Sequence, residues 1–234
     1  MHTTSRWSQR LLAGAVALAG VAILAATLAS TPSGAATPNE AVTTSAATAA
    51  STAADATKVV TVRPVDAAGR PAAGYTVKRE RLGAGITCWG ASPSAVESGI
   101  AICGPSAAYL PACWKSRNHT VLCLRDARST QLVRVRYEGR FRTRGLQEVA
   151  SPINLDLPKQ QCGIRVGGAW SYPPSHPRWV GYYFCQKGGI YGPSDGNGGI
   201  DRSSDTWTVR FWNESGPRVP QRRVETAYVV GTAA

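Results

Sequence analysis

The densest charge in the sequence is the run L-V-R-V-R-Y-E-G-R-F-R-T-R from Leu132 to Arg144, in which Arg134, Arg136, Arg140, Arg142 and Arg144 all fall at even positions. In an extended segment successive side chains point to opposite faces, so this parity sends the arginines one way and Val133, Val135, Tyr137 and Phe141 the other. Gly139 is where the run is expected to bend and the exact alignment of the arginines to break. Alternate residues of a strand stand about 6.7 Å apart. Each guanidinium is permanently charged and grips a phosphate or carboxylate through a planar, two-pronged fork. Such a strip suits an anionic polymer of the cell envelope or an anionic membrane surface. The plainer alternative is a solvated strand face whose charges discourage edge pairing.

A second concentration is aromatic, G-G-A-W-S-Y-P-P-S-H-P-R-W-V-G-Y-Y-F-C from Gly167 to Cys185. Pro173, Pro174 and Pro177 stiffen a loop in which Trp170, Tyr172 and Trp179 are candidates for a platform under sugar rings or a partner protein. Alternation puts Tyr182 and Phe184 on one strand face and Trp179, Tyr183 and Cys185 on the other, so one set belongs to a core. Burial around Cys185 is the competing account of the whole cluster.

Familiar catalytic patterns are absent. Beyond residue 57 only His119 and His176 remain as imidazoles, with no G-x-S-x-G elbow and no H-E-x-x-H pair. A triad assembled in space from Ser92, Ser94 or Ser106 with His119 and Glu97 stays open as a hydrolase alternative, acting on wall polysaccharide or ester. The loop around Asp195, Asn197, Asp201 and Asp205 offers oxygen ligands but lacks the closing bidentate glutamate of a calcium loop, so no metal or cofactor is expected.

These groups must be positioned outside the cytoplasm. Arg6 and Arg10 precede an apolar run, Leu11 to Leu28, and small residues around Ser33-Gly34-Ala35-Ala36, the layout of a signal peptide over 1–36. Retention of the same run as a membrane anchor is the alternative. No cysteine follows it where a lipid anchor would need one. Residues 37–57, nearly all Ala, Ser and Thr, have too little apolar bulk to order and read as a linker. Setting residues 1–57 aside removes Arg6, Arg10, Glu40 and Asp55, so the net charge of +12 is carried by 58–234. Nucleic acid is the least expected anionic partner, because an exported chain seldom meets it.

Within 58–234, short alternating runs of Val, Tyr, Thr, Trp and Phe recur between Gly, Pro, Asp and Ser clusters, which predicts an all-β domain, a β-sandwich or barrel-like fold. Val59 to Val77 reads as an opening hairpin around D-A-A-G-R-P-A-A-G, and resembles the first hairpin of secreted immunoglobulin-like or carboxypeptidase-regulatory-like modules. Ser94 to Leu110, rich in Ala and Ser, is a candidate for a short helix. The six cysteines, Cys88, Cys103, Cys113, Cys123, Cys162 and Cys185, are read as disulfides stapling the domain. Nearest-neighbour pairing is favoured (Cys88 with Cys103, Cys113 with Cys123, Cys162 with Cys185), with a Cys103 to Cys113 bridge as an alternative.

The blocks I-T-C-W-G-A-S-P-S, C-G-P-S-A-A-Y, A-C-W and T-V-L-C-L-R-D between Ile86 and Asp126, with the later G-G-A-W and W-T-V-R-x-W, resemble a group of uncharacterised secreted proteins of high-GC actinobacteria. The resemblance implies a secreted, disulfide-bonded, envelope-associated protein and carries no activity with it. A binding module that docks an anionic envelope polymer or surface through its arginine strand is the function expected. A secreted hydrolase and a protein-binding, inhibitor-like module are the alternatives.

Overall fold

The computed structural model describes residues 56–80, 85–168, 171–194 and 198–234, all within one compact unit. The signal-peptide and linker expectations for 1–55 lie outside these residues. Thr57, placed in the linker by composition, is bonded into the fold: its hydroxyl donates to the Val224 carbonyl at 2.8 Å and accepts from the Trp207 N–H at 2.8 Å.

The described chain is all-β, with no helix. In order it forms β1 (Lys58–Val62), β2 (Thr76–Arg79), β3 (Ile86–Ala91), β4 (Ile100–Cys103), β5 (Leu110–Ser116), β6 (Thr120–Leu124) and the long β7 (Gln131–Arg142). There follow β8 (Asn154–Leu157), β9 (Gln160–Ile164), β10 (Val180–Cys185), β11 (Gly188–Gly192), β12 (Ile200–Asp201), β13 (Thr208–Trp212), β14 (Gln221–Arg223) and β15 (Thr226–Val230). One sheet has the order β2-β7-β3-β4-β5-β6, and β7 also pairs with β6, so β3 to β7 make a closed ring of pairings, a small barrel. The other runs β1-β15-β8-β9-β10-β11-β13-β12, with β14 beside β13.

Burial explains the strand compositions. The barrel is filled by Ile86, Ala101, Leu110, Val121, Val133, Val135, Tyr137 and four of the cysteines. The outer face of β4, β5, β6 and the start of β7 supplies Ile100, Trp114, Leu122, Leu124 and Leu132 to a second core, shared with Val62, Ile153 and Val230 of the other sheet. Strands β5 and β6 are therefore covered on both faces and read as almost continuously apolar, whereas β7 beyond Leu132 has one face inside the barrel and one in water.

Two sequence expectations are corrected. Val59 to Val77 is not a hairpin: β1 pairs in parallel with β15, while β2 pairs in parallel with β7 in the barrel sheet. The chain does reverse there, through a Val65–Pro71 bridge with Gly69 and Gly74 at positive φ, but its two arms go to different sheets. Ser94 to Leu110 holds no helix. It contains β4, whose residues are all buried, a requirement that overrides the Ala and Ser content.

The cysteines pair as nearest neighbours: Cys88–Cys103 joins β3 to β4, Cys113–Cys123 joins β5 to β6, and Cys162–Cys185 joins β9 to β10. Each bridge links residues directly opposite in an antiparallel ladder. Three bridges are consistent with an extracytoplasmic protein. Among the described residues no helix is long and apolar enough to cross a membrane.

Candidate functional site: an arginine-lined cleft on the barrel

The parity of the arginine run holds. Val133, Val135 and Tyr137 are buried in the barrel and Phe141 packs against them, while Arg136, Arg140, Arg142 and Arg144 are exposed and Arg134 is half-buried. The bend at Gly139 (φ 72°) leaves this alternation intact for a simple reason. Thr87 of β3 faces Glu138 and Trp89 faces Arg142, so β7 carries two extra residues between those points, an even number that keeps each later side chain on its face.

Arg134 and Arg136 belong to a cavity of about 630 Å³ that they share with Val77, Arg79, Glu80, Arg117, Asn118 and Thr120. Arg79 of β2 lies in register beside Arg134, and Thr120 of β6 lies in register beside Arg136. Arg117 projects from the turn between β5 and β6, where Asn118 and His119 both adopt positive φ. That conformation is uncommon for residues with a Cβ.

Arg134 is held by two hydroxyls. Its Nη1 donates to Ser116 Oγ at 3.1 Å and to Thr120 Oγ1 at 3.1 Å. Both hydroxyl protons are committed elsewhere, from Ser116 to the Gly69 carbonyl at 2.7 Å and from Thr120 to the Arg117 carbonyl at 2.7 Å, so both oxygens turn lone pairs to the guanidinium. Burial, and then the charges of Arg117 and Arg79, push Arg134 below its ordinary pKa. Glu80, the acid in the cavity lining, is gripped by both Nη groups of Arg125, at 3.1 and 2.8 Å. Among the described residues no carboxylate pairs with Arg79, Arg117, Arg134 or Arg136. What the cleft can do chemically is bind anions.

The sequence missed Arg79 and Arg117. Each is an ordinary basic residue in its own segment, and their convergence depends on the parallel β2–β7 pairing and a turn geometry that local pattern does not encode.

The aromatic loop lies on the other sheet. Trp170 lies outside the described residues; Tyr172 is 54 % exposed, and Trp179 is half-buried with its ring 3.8 Å from that of His176. Ser175 ties the loop down, its hydroxyl donating to the Pro217 carbonyl at 3.1 Å. Along β10 the expected split is seen: Tyr183 and Cys185 are buried and Phe184 is exposed.

A larger cavity, about 660 Å³, is lined by Tyr109, Ile164, Tyr182, Tyr183 and Arg202. Two of its polar side chains bond to the backbone of the fold, although Arg202 Nε is buried without a partner among the described residues. Tyr183, fully buried with its pKa raised by that burial, donates to the Pro152 carbonyl at 2.9 Å, and Arg202 donates to the Ala150 carbonyl at 3.1 Å and lies over the Trp207 ring.

Of the residues of the hydrolase alternative, the buried Ser94 hydroxyl has no hydrogen-bond partner among the described residues and Ser106 is exposed, while the others are engaged separately. The Glu97 carboxylate accepts the Thr232 N–H and lies 3.6 Å from Arg63, Ser92 accepts the Ser94 N–H, and the His119 ring rests against Tyr137. Of the candidate calcium ligands, Asp195 and Asn197 lie outside the described residues, and Asp201 accepts the N–H of Ser203.

Comparison with known protein families, with curated proteins and with solved structures finds no match to this chain.

Proposed function

We propose that the protein is a secreted binding module of the cell envelope that docks an anionic polymer along the arginine-lined side of its barrel. The observation that carries this reading is the convergence of Arg79, Arg117, Arg134 and Arg136 on one cleft without a paired carboxylate among the described residues. Like charges in register on neighbouring strands repel, so the bare fold holds these groups together at a cost that a bound anion offsets. Exposed Arg140, Arg142 and Arg144 continue the charge on the outward face of the same run. A concave cleft accommodates a chain lying in it, whereas a flat bilayer meets only its rim. Secretion is supported by the basic–apolar–small pattern at residues 6–36 and by the disulfides.

The test is retention of the purified, oxidised protein on isolated cell envelope across a salt series. It is run beside a variant carrying Arg79→Gln, Arg117→Gln, Arg134→Gln and Arg136→Gln. The native protein is expected to bind at low salt and to be released by about 1 M NaCl, where the screening length is ~3 Å. The folded variant is expected to elute several-fold earlier in salt. Equal retention of both, or retention by anionic vesicles in place of envelope polymer, overturns the proposal.

A further inference from the structure

We infer that the ligand of the arginine strip is an acidic polysaccharide, and that Trp89 is the residue that recognises its sugar rings; this rests on the anionic-polymer reading above. Trp89 is a half-exposed indole on the outer face of the barrel, with 50 % of its surface open. It takes an outward place in the alternation of β3, whose Ile86 and Cys88 are buried.

The backbone presents it. In the β3–β4 ladder Cys88 faces Cys103 and Gly90 faces Ile102, so Trp89 is the extra residue of a bulge. Bulges re-aim the side chain they carry. The indole is then fixed at its edge, its Nε1 donating to the Gly104 carbonyl at 3.0 Å. Gly104 itself is held at positive φ (100°) by a 2.8 Å hydrogen bond from its N–H to the Thr87 carbonyl. With its polar edge satisfied, the ring offers water an apolar face of fixed orientation.

Across the ladder, Trp89 is in register with Arg142, and the next backbone contact, Ala91 N–H to the Arg144 carbonyl at 3.2 Å, keeps the two strands aligned. An oriented aromatic face beside a guanidinium is the pairing that a charged sugar requires. The ring covers the apolar C–H face of the pyranose, and the arginine takes the carboxylate, sulfate or phosphate that it bears. A polyanion without sugars would use the arginines and leave Trp89 idle.

The experiment compares retention of the full oxidised protein on immobilised polygalacturonate, dextran sulfate, polyphosphate and uncharged dextran, beside Trp89→Ala, Trp89→Phe and Arg142→Gln variants. Titration for free thiols, showing none, verifies the fold of each. Trp89→Ala is expected to weaken binding to the two acidic polysaccharides about tenfold, the scale of losing a central aromatic anchor. Binding of that variant to polyphosphate is expected to stay unchanged, and Trp89→Phe to recover part of the loss. Arg142→Gln is expected to weaken all three polyanions. Loss of polyphosphate binding in Arg142→Gln, with Trp89→Ala behaving as wild type on every matrix, overturns the sugar inference and leaves the arginine strip standing. Retention of the wild type on polyphosphate alone does the same. Failure of the wild type to bind any polyanion overturns both.

Discussion

The hydroxyl of Ser116 donates to the Gly69 carbonyl and accepts from Arg134, so the turn at residues 66–71, remote in sequence, decides where a cleft guanidinium points. Gly69 cannot be replaced cheaply: it holds φ 73°, and a Cβ there would lie 2.3 Å from the Lys115 carbonyl oxygen. Ser116→Ala leaves the Gly69 carbonyl unpartnered and frees Arg134, with an expected stability loss of about 1–3 kcal/mol and a several-fold loss of polyanion affinity. If Ser116 acts through Arg134, the affinity of Ser116→Ala/Arg134→Gln equals that of Arg134→Gln alone; additive losses measured by titration would contradict it. At this scale parity was legible. Even spacing in Leu132–Arg144 placed the arginines outward because strand periodicity is a local property, and the two-residue bulge happened to preserve it. Arg79, Arg117 and the presentation of Trp89 depend on partners distant in sequence, and no local pattern carries them.

Between elements, the loop after β6 is a polar joint between the barrel and the second sheet, beside their shared core. Arg128 donates to Asp126 at 3.0 Å, to Asp156 of β8 at 2.8 Å and to the Cys162 carbonyl of β9 at 3.4 Å, while Asp156 also accepts from Tyr228 of β15 at 2.8 Å. Buried Asn154 adds a 2.7 Å bond from the Ala127 N–H. Arg128→Met keeps most of the side-chain bulk but removes the charge-assisted bonds, and urea unfolding is expected to show a loss of about 1.5–3 kcal/mol. An unchanged midpoint would assign the joint to apolar packing alone. Strand identity was largely readable here because alternation and turn residues are local. Pairing was readable where partners are consecutive, as in the three disulfide-bearing ladders, and misjudged for Val59–Val77, where turn chemistry specifies a reversal without specifying what each arm joins.

Over the whole molecule, the pairings divide into two kinds. Antiparallel ladders of strands close in sequence build most of both sheets, while three parallel pairings, β1 with β15, β2 with β7 and β3 with β7, and the antiparallel β15–β8 ladder bring distant segments together. Fold class was legible from composition and spacing, since few apolar residues follow helical period. The combination of a barrel and a separate sheet was not, because it is decided by these long-range pairings. The β1–β15 pairing is extended at both ends: the Lys58 N–H bonds to the Glu225 carbonyl, Gly231 to Val62 and Ala233 to Val65, and the same final segment meets Ser94 and Val96. Truncation after Arg223 is expected to leave β1 and β8 with bare edges and to yield aggregating material with unpaired thiols, measurable by gel filtration and thiol titration. A monodisperse, oxidised product would contradict that.

The same closure sets a timetable. A chain that emerges N-terminal side first delivers Lys58–Val62 long before Thr226–Val230, so β1 waits for its partner until the end. Strands β3 to β7 can close and oxidise in the meantime, since every partner in that ring lies between Ile86 and Arg142. Folding of the domain is therefore a two-step event: an early barrel, and a sheet that waits for the last strand to arrive.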